Sequence, residues 1–404
     1  MGLDNWVFKQ RLAANTAVLA ACKRSDGSLL TGSSPDGQIW KSDDHGEVWH
    51  LYSSLPTVTR LNALLYASLG NVVLAGCGPA GMLWRSSDSG LSYAKVLDLG
   101  GGQDAYCLMS PQELIFLAGF GDPAMIYRSA TNGTTWTQVF TLTGTGAVRC
   151  LEKVATSHVL AGTSYAGRVY RSIDAGRTWP SYSTVGSQTA VMSLCKVSGG
   201  PTLAGTYPNC QIWSSTDEGV TWNPVQSLAP GTRVQKIIDL GSGTVLAGTD
   251  YFGQIWVSTD YGSSFSLLAS LGSGVNIQSL LYDSPNYIIA GTGDLARIFG
   301  CALYISPPTA AFSAAPLAGD VPLSVQFTDE STNAPATWLW DFGDGETSTE
   351  QSPLHIYVDA GTYTVSLTVH NYSGTDTETK IGLISATSVY KRFTPIWTMQ
   401  IGTL

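Results

Sequence analysis

Charge is what this sequence has least of: Asp, Glu, Lys and Arg together make up 13% of its 404 residues, about half the usual share of roughly 25% in a soluble domain. The few charges lean acidic, to a net −9, and no basic block occurs anywhere. That excludes the electrostatic footprint of a nucleic-acid binder. No run of 18 apolar residues is present, so no membrane-inserted helix is expected. The opening MGLDNWVFKQRLAANTAVLAAC places Asp4 before any basic residue and lacks a clean apolar core, so no signal peptide is evident in this numbering. Either the chain is not exported by the general route, or a leader was removed before the numbering begins. Paired cysteines are also missing. The seven present (Cys22, Cys77, Cys107, Cys150, Cys195, Cys210 and Cys301) are odd in number and unpaired in spacing, which excludes a disulfide framework and suits folding in a reducing compartment. The five histidines have no metal-ligand spacing, and neither a Gly-x-Ser-x-Gly elbow nor a phosphate loop occurs; neither metal nor cofactor is expected.

Glycine and aromatic side chains are plentiful, with 44 Gly, 12 Trp and 18 Tyr. Short strands joined by tight turns use such a composition, so an all-β chain is expected. A short apolar strand ending in glycine recurs as LLTG, VLAG, FLAG, VLAG, TLAG, VLAG and IIAG. Its glycines are Gly32, Gly76, Gly119, Gly162, Gly205, Gly248 and Gly291, a step of 44 residues once and 43 thereafter. A second strand follows each glycine, from GQIWKS in the first unit to ARIFGC in the last, with further strands before and after. Four short strands per unit, repeated seven times, predict a seven-bladed β-propeller over residues 1–306. The last unit lacks its outer strand, and Trp6 lies 43 residues before Trp49, so the N-terminal strand is predicted to complete that blade and close the ring.

Between the third and fourth strands come the octets SDDHGEVW (42–49), SSDSGLSY (86–93), SATNGTTW (129–136), SIDAGRTW (172–179), STDEGVTW (215–222) and STDYGSSF (258–265). Glycine supplies the backbone angles of a tight hairpin, Asp accepts hydrogen bonds from turn amides, and the aromatic packs between sheets. These octets resemble the Asp-box, or BNR repeat, of a propeller superfamily that holds sialidases, other glycosidases and many non-catalytic members. The resemblance assigns Asp44, Asp88, Asp174, Asp217 and Asp260 a structural role; the third copy departs from it, with Thr131 in place of Asp.

From Pro307 the period stops. WDFGDG (340–345), the segment through His355 and Tyr357, and GTYTVSLTV resemble a PKD module, which implies an immunoglobulin-like β-sandwich over residues 307–387. TYTVSLTVHN alternates as a half-buried strand does. Asp341 and Asp344 are read as fixing a turn, because their spacing lacks a calcium-loop pattern. Residues 388–404 form a C-terminal extension whose alternation in IWTMQIGTL suits either a strand on this domain's own edge or pairing with a neighbouring subunit of an oligomer.

The sialidases of the superfamily use an arginine trio and are typically six-bladed with an Arg-Ile-Pro segment, which this sequence lacks. Its regular arginines, Arg85, Arg128 and Arg171, occupy one repeated phase and so belong to separate blades. The step never departs from 43 by more than one residue, leaving no loop insertion to wall a cleft. The expectation is a non-catalytic surface recognition or assembly protein, a virion component or otherwise cell-external, binding a glycan, a protein or neighbouring subunits. A glycoside hydrolase and a surface-layer protein are the alternatives. The loops after the repeated glycines supply the candidate ligand residues: Asp122, Tyr165, Tyr207, Asp250, Tyr251, Phe252 and Asp294. Tyrosine on a rigid loop offers a flat apolar face with a polar tip.

Overall fold

The structure, a computed structural model, describes residues 6–12, 17–142, 146–283, 287–293, 296–302, 307–333, 335, 337–371 and 374–388. The chain divides into two compact units, Met1–Tyr304 and Ile305–Leu404. Regular structure among the described residues is entirely β. The C-terminal extension lies outside the described residues from position 389, so its predicted strand does too.

The first unit holds seven four-stranded antiparallel sheets among the described residues. The first is Ala17–Lys23, Leu29–Ser34, Gln38–Ser42 and His50–Ser54, and five more follow in simple chain order. The seventh is built from Ile277–Asp283, Tyr287–Thr292 and Arg297–Ala302, and its outer strand is Val7–Arg11. Each position within a sheet has its own burial signature. The second strand, such as Val72–Gly78, is buried along its whole length because neighbouring sheets cover both of its faces. Outer strands expose two residues, half-bury two and expose the last, a pattern that Val7–Arg11 shares with His50–Ser54 and Ser266–Ser270.

The recurring glycine marks where one sheet touches the next. A Cβ at Gly119 would lie 2.7 Å from Cγ1 of Val148, one at Gly162 2.8 Å from Val191, and one at Gly205 2.7 Å from Val234. The same collision recurs between Gly248 and Ile277 at 2.6 Å and between Gly291 and Val18 at 2.5 Å, so the last sheet meets the first as the others meet their neighbours. Glycine is required here for close approach, since no side chain fits.

The octets form the turns between third and fourth strands. In the fifth, the Ser215 hydroxyl donates to Asp217 Oδ1 at 2.8 Å and accepts from the Gly219 amide at 2.8 Å. Asp217 Oδ1 also accepts the Thr221 amide at 2.9 Å, and Oδ2 accepts the Thr221 hydroxyl at 2.6 Å. Glu218 and Gly219 both take left-handed backbone angles, φ 56° and 83°, as a tight hairpin requires. The hydroxyl and amide donors hold Asp217 and Asp88 down to about 2. Thr131 fills the Asp position in the third octet, where its Oγ1 accepts the Thr135 amide at 2.9 Å.

Side chains also stitch sheet to sheet. Arg85 Nε donates to the Asn132 carbonyl at 2.7 Å and Arg128 Nε to the Ala175 carbonyl at 3.1 Å, while Arg171 pairs with Glu218 at 2.8 Å; each reaches the next octet turn. Gln226 clamps the backbone of Phe265 by two hydrogen bonds of 2.9 and 2.8 Å. Gln10 clamps Trp49 identically, at 3.0 and 2.8 Å.

The second unit is a sandwich of a three-stranded sheet (Phe312–Ala315, Leu323–Asp329, Leu354–Tyr357) on a five-stranded one led by Gly361–Asn371 and Gly374–Thr387. Phe312, Phe327, Trp340, Phe342 and Tyr357 fill the space between them.

Deleting residues 1–12 removes the outer strand of the seventh sheet, the Gln10 clamp, the Lys9–Glu47 ion pair at 2.6 Å and the buried Leu12. The expected cost is several kcal/mol, from lost strand hydrogen bonds and a large buried side chain. Thermal melting of the truncated and full chains measures it; equal melting temperatures would rule out a stabilising role for this strand.

Candidate functional site

The innermost strands of the seven sheets line a cavity of about 480 Å³. Each strand carries a β-bulge at one repeated position, between Val18 and Ala20 in the first sheet, Leu61 and Ala63 in the second, and Ala105 and Cys107 in the third. The series continues between Val148 and Cys150, Val191 and Ser193, Val234 and Lys236, and Ile277 and Ser279. A bulge leaves one residue unpaired and re-aims its side chain. Those residues are Leu19, Asn62, Tyr106, Arg149, Met192, Gln235 and Gln278, and all line the cavity.

This ring is rich in donors. The Arg149 guanidinium lies 4.2 Å from the centre of the Tyr106 ring, and its Nε is shielded from solvent with no acceptor; Asn62 Nδ2 is in the same condition. One residue further along the strands the side chains are small, as at Ala20, Ala63 and Ser193, apart from Lys236. Cys107 and Cys150 are half-buried and line the cavity, with their thiols donating to the Val148 and Val191 carbonyls. Burial raises the Cys107 thiol to about 12. Deeper lies Glu152, whose carboxylate accepts the Lys196 amide at 2.9 Å. Burial pushes Glu152 up to about 7 against the pull of that amide and of Lys236. Among the described residues lining the cavity, Glu152 is the only carboxyl and Arg149 and Lys236 are the only cations.

Antiparallel pairing puts the loops after the recurring glycines beside the start of each inner strand, as Ala17 opposite Ser34 and Ala190 opposite Tyr207 show. The candidate loop residues therefore share an end with the bulge ring, and the octet turns lie at the opposite end. Tyr165 is 39% exposed and Tyr251 62% exposed. Arg168 sits over the rings of Tyr165 and Tyr182, at 5.1 and 4.5 Å, and Arg233 over Tyr207 at 5.0 Å. Phe252 packs edge-on to Tyr251, with ring centres 5.0 Å apart. Asp122 is exposed, with a left-handed φ of 48°.

Asp250 needs correcting. It is 7% exposed, and its carboxylate accepts the amides of Thr232 and Arg233 at 2.8 and 2.9 Å and the Thr232 hydroxyl at 2.6 Å, so it braces a loop rather than facing a ligand. Asp294 lies outside the described residues. Sequence reasoning missed Arg149, Lys236 and Glu152. The signal for Arg149 was a polar residue interrupting an apolar strand at constant phase, as Asn62, Gln235 and Gln278 also do; Lys236 and Glu152 lie off that phase.

Comparison with known proteins separates the two units. Residues 306–384 match the family model described as PKD domain. This segment is a PKD domain. The relatives that match by sequence include Collagenase ColA of Bacillus cereus, 42% identical over 67 residues, 16% of this chain and 7% of that protein. A microbial collagenase of Vibrio alginolyticus is 44% identical over 73 residues, 17% of this chain and 9% of that protein. The chain thus spans under a tenth of these relatives. In the PKD domain, Asp341 and Asp344 accept the amides of Gly343 and Glu346 at 2.9 and 3.0 Å, and Asp344 pairs with His355 at 2.7 Å. The first unit matches by fold. YCF48 from Cyanidioschyzon merolae aligns with TM-score 0.58 at 12% identity, over 74% of this chain and 98% of that one. The WD40 repeats of RRP9 align with TM-score 0.57 at 12% identity, over 74% and 98%. The fold of the first unit is therefore β-propeller-like, built of four-stranded blades.

Glu152 ties stability to pH. Its carboxyl rises from 4.5 to about 7 on folding, so the native chain holds a proton the unfolded chain has released between those values. That contribution is complete below pH 4.5 and is lost as pH rises through about 7. Glu152→Gln is expected to stabilise the protein at about pH 8 by on the order of 1 to 3 kcal/mol and to flatten the profile. Melting curves from about pH 5 to 8 test this; parallel profiles for variant and parent would show that Glu152 is ionised alike in both states.

Proposed function

We propose that this chain is a non-catalytic recognition protein: a closed, seven-bladed Asp-box propeller that presents one face to a glycan or protein partner, with the PKD domain as spacer or anchor. The observation that carries this reading is the grouping of Tyr165, Tyr207, Tyr251 and Phe252 on three consecutive blades, at the end of the propeller where the inner strands begin. Tyr165 and Tyr251 stand open to solvent, and rigid aromatic faces of this kind suit sugar rings and protein surfaces alike. The ring is supported by the Gly291–Val18 contact, by the pairing of Val7–Arg11 with Arg297–Ala302, and by the matched clamps of Gln10 and Gln226. The protein is placed at a cell exterior or on a virion. The shared PKD domain of the two collagenases favours an exterior setting, and an odd number of cysteines without disulfide spacing favours folding in a reducing one. A particle assembled in cytosol and displayed outside reconciles the two.

Changing Tyr165, Tyr207 and Tyr251 together to Ser is expected to abolish binding in a glycan array or host-surface adhesion assay, with little change in melting temperature. Undiminished binding, or a collapse of stability that accounts for its loss, returns these rings to a packing role.

The glycosidase reading draws on the near-neutral carboxyl of Glu152. Glycoside hydrolysis uses two carboxyl groups flanking the bond, and Glu152 has no companion among the described cavity-lining residues. No turnover of sialosides or β-glucans is therefore expected. Hydrolysis above a heat-inactivated control that disappears in Glu152→Gln would falsify the non-catalytic assignment.

A further inference from the structure

We propose that the mouth of the propeller cavity is a binding site for a small oxyanion, a free carboxylate or phosphate compound, held by Arg149 and Lys236 and by the amides of Asn62, Gln235 and Gln278. This deepens the reading of the chain as a binding protein and rests on it. The tyrosine face and the cavity remain separable, because no candidate tyrosine lines the cavity.

The argument starts from the bulges. An inner strand without one would alternate its side chains between the two neighbouring sheets. The extra residue in each strand turns one more side chain towards the cavity at the same level, giving a ring with one member per sheet. A ring meant only to fill space would carry apolar side chains there, as Leu19 and Met192 do. Instead three members are amides and one is a guanidinium.

The donors outnumber their acceptors. Arg149 Nε and Asn62 Nδ2 are both shut off from solvent and unpartnered, a costly condition for buried polar groups. Arg149 rests on Tyr106, which fixes the guanidinium plane without supplying a carboxylate. Elsewhere on this face Arg60 pairs with Asp104 at 3.0 Å and Arg233 approaches Asp250 at 3.8 Å, while Arg168 rests on the rings of Tyr165 and Tyr182 at the outer loops. Lys236 makes no ion pair within 4 Å among the described residues. On a chain of net charge −9, two unpaired cations at one cavity mouth are a local reversal of sign. An oxyanion supplies what these donors lack, and a space of about 480 Å³ admits a small acid.

The test is isothermal titration of the full chain with succinate and, separately, with inorganic phosphate, at constant ionic strength set by chloride. Saturable one-site binding of at least one probe is expected, with Kd at or below about 1 mM. Which probe binds decides between a carboxylate and a phosphate source. Arg149→Gln and Lys236→Gln are each expected to weaken binding by about tenfold or more. At about pH 8, where Glu152 is ionised, Glu152→Gln is expected to tighten it by about threefold to tenfold, because it removes the one negative charge among the described residues lining the cavity. Lys95→Gln, a change of equal charge on an outer strand, should leave the affinity as it was. Should Arg149→Gln melt early, Lys236→Gln alone carries the test, since its exposed amine holds nothing together. Failure of both probes to bind, or equal binding to the parent and Lys236→Gln, overturns the site. Anion binding that survives in the triple tyrosine variant while partner binding also survives would sink the tyrosine face and leave this site standing.

Discussion

The rest of the propeller unit follows from the approach of one sheet's backbone to the next at a position where no side chain fits. A four-stranded sheet of this size cannot bury its own faces, so its stability lies in what it shares with its neighbours. The recurring glycine sets how near those neighbours come, with Val148, Val191, Val234, Ile277 and Val18 each seated where a Cβ would be. Every sheet must present the same small position and an apolar residue at the same place to repeat that contact, Leu61 and Ala105 serving where the other five sheets use Val or Ile. A step that hardly leaves 43 residues is the sequence-level image of this requirement. Long insertions would be tolerated only in loops, and this chain has none.

With so few charges, where they sit is informative. Several serve the junctions between sheets: Lys9 with Glu47, Arg171 with Glu218 and His158, and Lys23 and His45 with the fully buried Asp283. The last group joins the first sheet to the seventh. Partly exposed pairs of this kind add little stability, but they penalise misaligned neighbours. Arg149 and Lys236 do not fit that pattern. Neither makes an ion pair among the described residues, although Arg149 rests on the Tyr106 ring of the neighbouring sheet, and the cavity they face also holds a carboxyl kept near neutrality. Charge placed without a counter-charge is where a structural account of this propeller stops being sufficient.

Much of the architecture was legible because repetition converts packing into spelling. The glycine series and the octets follow from contacts repeated sheet after sheet. The PKD domain was legible for a different reason: Trp340, Phe342 and Tyr357 build a small core that tolerates few substitutions. Two things were hidden. The reason for the recurring glycine is a contact between residues about 29 positions apart, such as Gly119 and Val148, which a period reveals only as a coincidence of phase. The bulge ring is hidden because a bulge has no residue preference of its own, so Leu19, Asn62 and Arg149 share a geometry without sharing a chemistry. Asp250 misled because an acidic residue beside exposed tyrosines looks the same whether it faces a ligand or braces the loop beneath them.

The octets bear on which end of the propeller is free to act. In four of them, Asp88, Asp174, Asp217 and Asp260, the aspartate has both oxygens engaged within its own turn, and in the first Asp44 Oδ1 accepts from the Ser42 hydroxyl and the Val48 amide. In the third octet Thr131 gives the same amide an acceptor with a single neutral oxygen. The turn therefore needs an acceptor at that point and not a charge, which removes the main reason to expect cations or ligands at the octet end. That end is fixed by hydrogen bonds internal to each sheet and by arginines reaching from sheet to sheet. The opposite end keeps its loops short but varies their residues, and it collects the tyrosines, the stacked guanidiniums and the bulge ring. Variation is tolerated where the seams do not run, and binding chemistry can change there without disturbing the contacts that hold the sheets together.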